Sequence, residues 1–462
     1  MIVLIQPMYS KAELNGDSNL IMCTEFVRAM GRVRPDWHFL LVWPDAQSGF
    51  KYEDDGFFRL PNVSRVAQRI STRKMANAVT YDAGWYDTLF RTVGVDVVWC
   101  QLVEIADKIK HAGDNPLRAA AMPVVVAEHN YMIHRSLPTV WDAHEHVAFM
   151  QIGGALAADH NIFHSEHVRG MFVETAQQWL KETAIATLLA RSSQIGLGLI
   201  TPRLYPRPHT NDVPLIIYNH RLQGYKNFKA TFEVLDELWD EGVRFRVRFT
   251  NSTAENTAAI VARPYVELRL CATRAEYLAA IAEGDLNVTN SQHETFCMSA
   301  VESMAFAQPL VAPAGVTFPE ITGRAQNGYP YLFTSRDEQK AMLRRLLTDH
   351  AERRRWGTVL STYVHRMYNL DACTRERAEL FERLQPATPT PDDDARQMLV
   401  EQLRMHSGQK LRDVHRIITQ TEVGGRKPYG SQSLPLVKLM RYARSFGGKV
   451  TMEKGEQRVY LT

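Results

Sequence analysis

The sequence predicts an α/β protein of doubly wound parallel sheets, and three observations carry that reading. Short, continuous apolar runs alternate with helical patterns from residue 1 to about residue 163. A second series of the same kind starts at residue 215. Two proline-rich stretches set these series off from each other and from a basic tail, so more than one domain is expected in 462 residues.

Taken in order, residues 1–6 (MIVLIQ) form an apolar run of the kind buried on both faces of a parallel sheet. The following loop carries Asn15-Gly16-Asp17-Ser18 ahead of a helical pattern at 20–30. Gly16 there would let backbone approach a ligand, and a turn plus helix cap is the plainer alternative. Further strands are expected at 38–43, 95–100, 123–127 and 161–163. Ligands of such sheets sit at the carboxyl ends of the strands, here Pro7, Gln101 and Glu128. The exit of the fourth predicted strand, AEHNYMIHRS, clusters Glu128, His129 and His134, and its position makes His129 a functional candidate.

Residues 202–214 hold four prolines and read as a linker. The second series then runs LIIYNHRLQGYKNF from 215, a helix at 228–240, and strands at 245–250, 266–268, 286–289 and 309–312. A helix opened near Phe296 continues through 301–307, and a helical region at 338–384 closes this half. Residues 385–394 (QPATPTPDDD) are a second linker. Helix candidates follow at 396–405, 410–421 and 434–446, with a hairpin around a Lys-Gly-Glu turn in 449–462.

Composition narrows the function classes. At 45% hydrophobic and 23% charged, the chain has the balance of a soluble globular protein. The apolar run at 1–5 is too short for a signal peptide or a membrane span, and no later stretch supplies one. Five scattered cysteines argue against a disulfide framework or a zinc site, and a cytoplasmic location is expected. Residues 395–462 hold 13 Lys and Arg against 5 Asp and Glu, leaving 41 against 46 for the rest. A basic appendage on a mildly acidic body points to an anionic partner.

The most informative stretch is 290–323, NSQHETFCMSAVESMAFAQPLVAPAGVTFPEITG. Glu294 precedes a helix and Glu302 lies inside it, so both can hold hydroxyls while the helix start favours a phosphate. This segment resembles the acid-x7-acid segment of retaining GT-B glycosyltransferases of the family 4 type. Glu320 and Asn327-Gly328-Tyr329 match its tail, Arg221 and Lys226 match its basic pair, and FHSEHVRGMF (163–172) is similar to its strand-then-serine segment. The resemblance spans roughly 1–385. It implies an N-terminal Rossmann-like acceptor-side domain at 1–205 and a nucleotide-sugar domain at 213–385, with a linker at 386–394. It implies that Glu294 contacts the transferred sugar beside the backbone of Phe296, Cys297 and Met298. Glu302 would hold the ribose, Arg221 and Lys226 would neutralise the diphosphate, Gly16 would close over the phosphates, and His129 would face sugar or acceptor. No metal and no cofactor are implied, a UDP-sugar is the expected donor, and a donor phosphate oxygen is expected to take the acceptor proton. The family's glycine-rich turn is Glu294-Thr295-Phe296-Cys297 here, two glycines short.

The tail segment LPLVKLMRYARSFGGKVTMEKGE resembles the end of small helix-turn-helix domains of the Cro/C1 or antitoxin type. Lys438, Arg441 and Arg444 lie in it, and Arg426 and Lys427 stand in a basic-aromatic loop suited to phosphates. A charged, passive tail is the plainer alternative. With a transferase body, a mainly α DNA-binding-like domain at 395–462 implies a nucleic-acid acceptor. Phage enzymes that glycosylate hydroxymethylated pyrimidines in DNA resemble this plan, and for a phage protein the location would be the host cytoplasm. An acceptor in tRNA, polysaccharide or protein, and a DNA-binding regulator that senses a nucleotide sugar, remain open at this stage. A membrane-surface role ranks last, since the tail shows no amphipathic helix with bulky apolar anchors.

Overall fold

A computed structural model describes residues 1–9, 14, 17–70, 83–93, 95–113, 123–199, 211–222, 224–250, 257–271, 273–385, 414, 449–453 and 456–460. Gly16, both predicted linkers for most of their length, the three helix candidates at 396–446, and Arg426, Lys427, Lys438, Arg441 and Arg444 lie outside the described residues.

The first sheet is formed by β1 (Ile2–Gln6), β2 (His38–Pro44), β3 (Val63–Gln68), β4 (Val97–Cys100), β5 (Val124–His129), β6 (His160–Phe163) and β7 (Ser192–Gln194). Its order is β3-β2-β1-β4-β5-β6-β7, and β1 pairs in parallel with both β2 and β4. The second contains β8 (Leu215–Tyr218), β9 (Arg246–Phe249), β10 (Val266–Leu268), β11 (Leu286–Val288), β12 (Leu310–Pro313) and β13 (Leu332–Phe333). Its order is β10-β9-β8-β11-β12-β13, with parallel pairing throughout. The winding direction of the second sheet reverses between β8 and β11, so their carboxyl ends flank its switch point. A separate antiparallel pair joins β14 (Lys449–Glu453) to β15 (Glu456–Tyr460), with Glu453 opposite Glu456. That is the hairpin expected around the Lys-Gly-Glu turn.

The chain divides into two compact units, residues 1–128, 150–161 and 378–462 in one, 129–149 and 162–377 in the other. In the first, Val3, Leu4 and Ile5 of β1 and Val97, Val98 and Trp99 of β4 are fully buried, as an apolar run covered on both faces must be. Residues 378–385 join it through Arg34, which grips Glu382 at 2.6 and 2.9 Å, and through Trp37 stacked on Phe381. The helix Ser18–Val33 follows β1 and is capped by Asp17, whose carboxylate accepts from the Asn19 N–H at 3.0 Å.

In the second unit the helix Met298–Ala305 lies against the helix His350–Met367. Ser361 Oγ donates to the Ala305 carbonyl at 2.9 Å, and His365 lies 3.2 Å from the same oxygen. Ala307 ends the site helix in the left-handed region, φ 61°. Gly357 is required beside it, since a Cβ there would meet the Ala307 carbonyl oxygen at 1.9 Å.

Several expectations need correction. The helix expected to open near Phe296 starts at Met298, with Cys297 as its N-cap. The helical region expected at 338–384 is present, divided into three helices, Arg336–Thr348, His350–Met367 and Leu370–Leu384. Strands β3, β7 and β13 were not anticipated. β3 is buried only at its ends, Val63 and Gln68, with half-buried and exposed residues between, while β7 (SSQ) is polar, so neither presents an apolar run.

Candidate active site

The second sheet positions the site. β8 (LIIY) is wholly buried, and the chain leaves its carboxyl end as Asn219-His220-Arg221. It then makes a one-turn helix at Gly224–Lys226 before Asn227, in the left-handed region, starts the helix Phe228–Asp240. β11 leaves at the neighbouring end into Thr289 through Glu294. The two exits are tied together by the Gln292 N–H, which donates to the Tyr225 carbonyl at 2.8 Å. Asn219 is a second tie. Its amide donates to Tyr277 Oη and to the Ser299 carbonyl, both at 2.9 Å, and its oxygen accepts from Asn287 Nδ2 at 3.0 Å.

The Lys226 ammonium hydrogen-bonds the Glu294 carboxylate, with the two side chains only 8% and 11% exposed. Burial disfavours both charges, and each opposes that penalty in the other. Burial pulls Lys226 down but the Glu294 charge leaves it raised overall, and burial pushes Glu294 up but Lys226 leaves it lowered overall. A ring nitrogen of His220, a Glu294 oxygen and Cys297 Sγ all lie within 4.8 Å of one another. Each could offer a metal one ligand, but Lys226 already occupies Glu294, so a cation would have to displace an ammonium.

Cys297 adopts φ 66°, ψ 62° at the N-cap and gives no side-chain cap bond. The left-handed conformation normally given to glycine is therefore kept here without glycine. Phe296 points into the core, 2% exposed, with its ring edge-on to Tyr368 at 4.9 Å. Met298 is half-buried and opens the helix, whose first-turn N–H groups lack intrahelical acceptors.

Glu302 faces a different pair. It accepts from Arg274 and, at 2.9 Å, from Tyr277 Oη, both on the helix Arg274–Ala282. Neither residue was singled out in the sequence. The available signal was Thr273, which caps that helix and sets Arg274 and Tyr277 one turn apart on the same face.

The FHSEHVRGMF segment meets the same loop. Ser165 caps the helix Glu166–Ala176 and donates to the Thr295 carbonyl at 2.6 Å. Thr295 in turn donates to the Asn130 carbonyl at 3.1 Å. Glu320 accepts from the Glu166 N–H at 3.0 and 2.9 Å, capping the same helix start, and also from Gln194. Glu320 is thus engaged with a helix N-terminus, and burial leaves its carboxyl raised.

Two further candidates are Arg221, which directly follows His220 along the chain, and His129. Arg221 is exposed. His129 is the last residue of β5 and is fully buried, not a loop residue beyond the strand. Its ring stacks on Phe163 at 4.2 Å and meets Phe172 edge-on at 5.2 Å. That packing is an aromatic arrangement at the end of β5. Glu128 likewise belongs to β5 and accepts from the Trp99 indole.

Two histidines, His220 buried and His293 half-buried, make stability depend on pH. Burial, then Lys226, pull His220 from near 6.5 to about 3. Burial pulls His293 to about 4, with Glu294 opposing and His134, His167 and Lys226 assisting. Below its ordinary value the unfolded chain takes up protons that the folded chain refuses. Stability is therefore fully present above pH 6.5 and lost as pH falls toward these folded values. Two such groups give a slope of about 2–3 kcal/mol per pH unit in that window. Urea denaturation across that range measures it, and His220→Asn should remove about half of the slope.

Residues 273–359 match the family described as glycosyl transferases group 1, a segment that includes Arg274, Tyr277, Glu294, Cys297, Glu302 and Glu320. No curated protein sequence matches the chain significantly. Among similar solved structures is sucrose-phosphate synthase from Thermosynechococcus elongatus, 15% identical with a TM-score of 0.59, over 83% of this chain and 99% of that one. Anabaena HepE in complex with UDP-glucose is 12% identical with a TM-score of 0.59, over 83% and 100%. The lipopolysaccharide outer core galactosyltransferase WaaB is 11% identical with a TM-score of 0.56, over 83% and 99%. The class is thereby defined: the chain has the GT-B type of fold. Residues of its second sheet fall in the segment that matches the group 1 glycosyltransferase model. Among the described residues, no helix is long and apolar enough to cross a membrane.

Proposed function

We propose that the protein is a nucleotide-sugar-dependent glycosyltransferase that moves glucose from UDP-glucose to a 5-hydroxymethylpyrimidine in DNA, with retention of configuration. One observation carries the donor half of this reading. The buried Lys226–Glu294 pair stands at the switch point of a parallel sheet, and Glu294 lies inside the segment that matches a glycosyltransferase family. Glu294 holds hydroxyls of the transferred sugar beside the backbone of Phe296 to Met298. Lys226 and Arg221 offset the charge that grows on the diphosphate as the glycosidic bond breaks. Glu302 holds the ribose, with Arg274 and Tyr277 fixing its carboxylate. In the transfer step the acceptor hydroxyl oxygen bonds to the sugar's anomeric carbon. The bond from that carbon to the phosphate oxygen breaks, and the acceptor proton passes to a donor phosphate oxygen. UDP leaves, with no resident metal or cofactor assigned a role.

The acceptor half rests on the sequence. Residues 395–462 are basic and resemble a helix-turn-helix module, with Arg426, Lys427, Lys438, Arg441 and Arg444 as phosphate contacts. A hydroxymethyl group within a duplex must be extruded to be reached. The test is mass analysis of nucleosides from hydroxymethylated and plain DNA after incubation with the protein and UDP-glucose. A hexose added only to the modified base is expected. Absence of transfer with UDP-glucose and the other common UDP-sugars would sink the DNA reading. A chain cut after residue 394 separates the alternatives, since transfer to tRNA, polysaccharide or protein that survives the cut assigns the acceptor elsewhere.

A further inference from the structure

His220 has a feature that the donor reading leaves unused. Its side chain is 2% exposed, yet Nε2 has no hydrogen-bond partner among the described residues. A buried polar nitrogen left this way is costly unless something arrives to meet it. The other nitrogen is accounted for. Nδ1 lies 3.1 Å from Ser299 Oγ, and Ser299 Oγ lies 3.7 Å from Cys297 Sγ.

Either direction of donation fits these distances, and the order that serves an anion at Nε2 starts from the thiol. Burial holds the Cys297 thiol protonated, so it can donate toward the Ser299 oxygen. The serine hydroxyl is then free to donate to Nδ1. An imidazole that accepts at Nδ1 carries its proton on Nε2, which makes Nε2 a donor.

The surroundings decide what such a donor meets. The imidazole shares its corner with the Lys226 ammonium and with the start of the helix Met298–Ala305, both of which disfavour a cation and favour an anion. Arg221 is the next residue along the chain. Glu294, expected beside the transferred sugar, lies within 4.8 Å of the ring, while Glu302, expected at the ribose, is engaged with Arg274 and Tyr277 on another helix. The group between sugar and ribose that fits this corner is the sugar-linked phosphate.

Resting on the donor reading above, we propose that His220 is a further donor-binding residue, whose Nε2–H hydrogen-bonds an oxygen of the sugar-linked β-phosphate. Ser299 and Cys297 are positioning residues that hold the tautomer.

The test is calorimetric titration of the full chain with UDP and, separately, with UMP, which lacks the β-phosphate. His220→Phe keeps a flat ring and removes the donor. His220→Gln places an amide N–H near the Nε2 position. The expected result is a loss in UDP affinity of about tenfold to hundredfold for His220→Phe, with UMP affinity unchanged. His220→Gln should recover UDP affinity to within a few-fold of wild type. Equal UDP affinity in wild type and His220→Phe overturns the assignment. An equal loss for UDP and UMP also overturns it, because that is the signature of a damaged pocket. A wild-type chain that binds no UDP overturns the donor reading itself, and this assignment with it.

Discussion

Replacing Lys226 with methionine is expected to cost about 3–5 kcal/mol of stability and to lower sugar transfer at least about a hundredfold. Both effects come from the same buried contact. Lys226 and Glu294 are 8% and 11% exposed, so neither charge has water to fall back on. Methionine fills most of the volume but leaves the Glu294 carboxylate without its counter-charge. Burial, the largest influence on that carboxyl, then pushes it up against the weaker pull of His220 and Ser291, so part of the penalty is relieved by protonation. The diphosphate also loses a positive charge aimed at the bond that breaks. The double variant Lys226→Met with Glu294→Gln separates the two effects. It should recover most of the lost stability, with a coupling of about 1–3 kcal/mol, and none of the lost activity. Urea denaturation and initial rates measure these quantities, and a single variant as stable as wild type would refute the buried-pair account.

Glu302→Ala is expected to raise the KM for the nucleotide sugar by about tenfold to hundredfold, with a smaller change in kcat. A ribose is held equally in the ground state and the transition state, so losing its anchor weakens binding more than chemistry. Stability should fall less than for Lys226. The Arg274 side chain is 32% exposed and can turn to water, which leaves mainly the Tyr277 hydroxyl without its acceptor. Tyr277→Phe tests that division, since it removes one hydrogen bond to Glu302 and should shift KM by only a few-fold. Initial rates across donor concentrations decide the matter, and an unchanged KM in Glu302→Ala would remove Glu302 from the ribose.

Much of this architecture was legible because buried parallel strands must be apolar on both faces. LIIY at β8 and MIVLIQ at the start of the chain announce themselves, and the helix Phe228–Asp240 and the strand Val266–Leu268 occur at their expected bounds. β3 and β7 stand at sheet edges, where polar and half-exposed residues suffice and no apolar run forms, and β13 is a two-residue edge strand, buried and apolar but too short to announce itself. The site was legible only in part. Glu294, Glu302 and Lys226 came from the resemblance of a motif, and the structure supplies the partners that spacing along the chain does not reveal. Asn219, Arg274 and Tyr277 meet Glu302 and Ser299 across the ends of different elements. His129 shows the converse case. Its place at a strand end suggested chemistry, and the structure adds Phe163 and Phe172 packed against its ring. The missing glycines misled in a third way. Cys297 adopts φ 66°, so the backbone path survives at that turn although the residue usually chosen for it is gone.

The cysteine at that turn has a kinetic consequence. Its thiol is 6% exposed and burial holds it protonated, while thiolate is the form that attacks an alkylating reagent. Labelling of Cys297 must therefore wait until the turn opens. The left-handed backbone, about 1 kcal/mol less favourable for cysteine than for glycine, makes that opening easier than in a glycine turn. The rate at which this one thiol is modified thus clocks the local unfolding of the donor loop, and a bound nucleotide sugar that closes the loop would slow the clock.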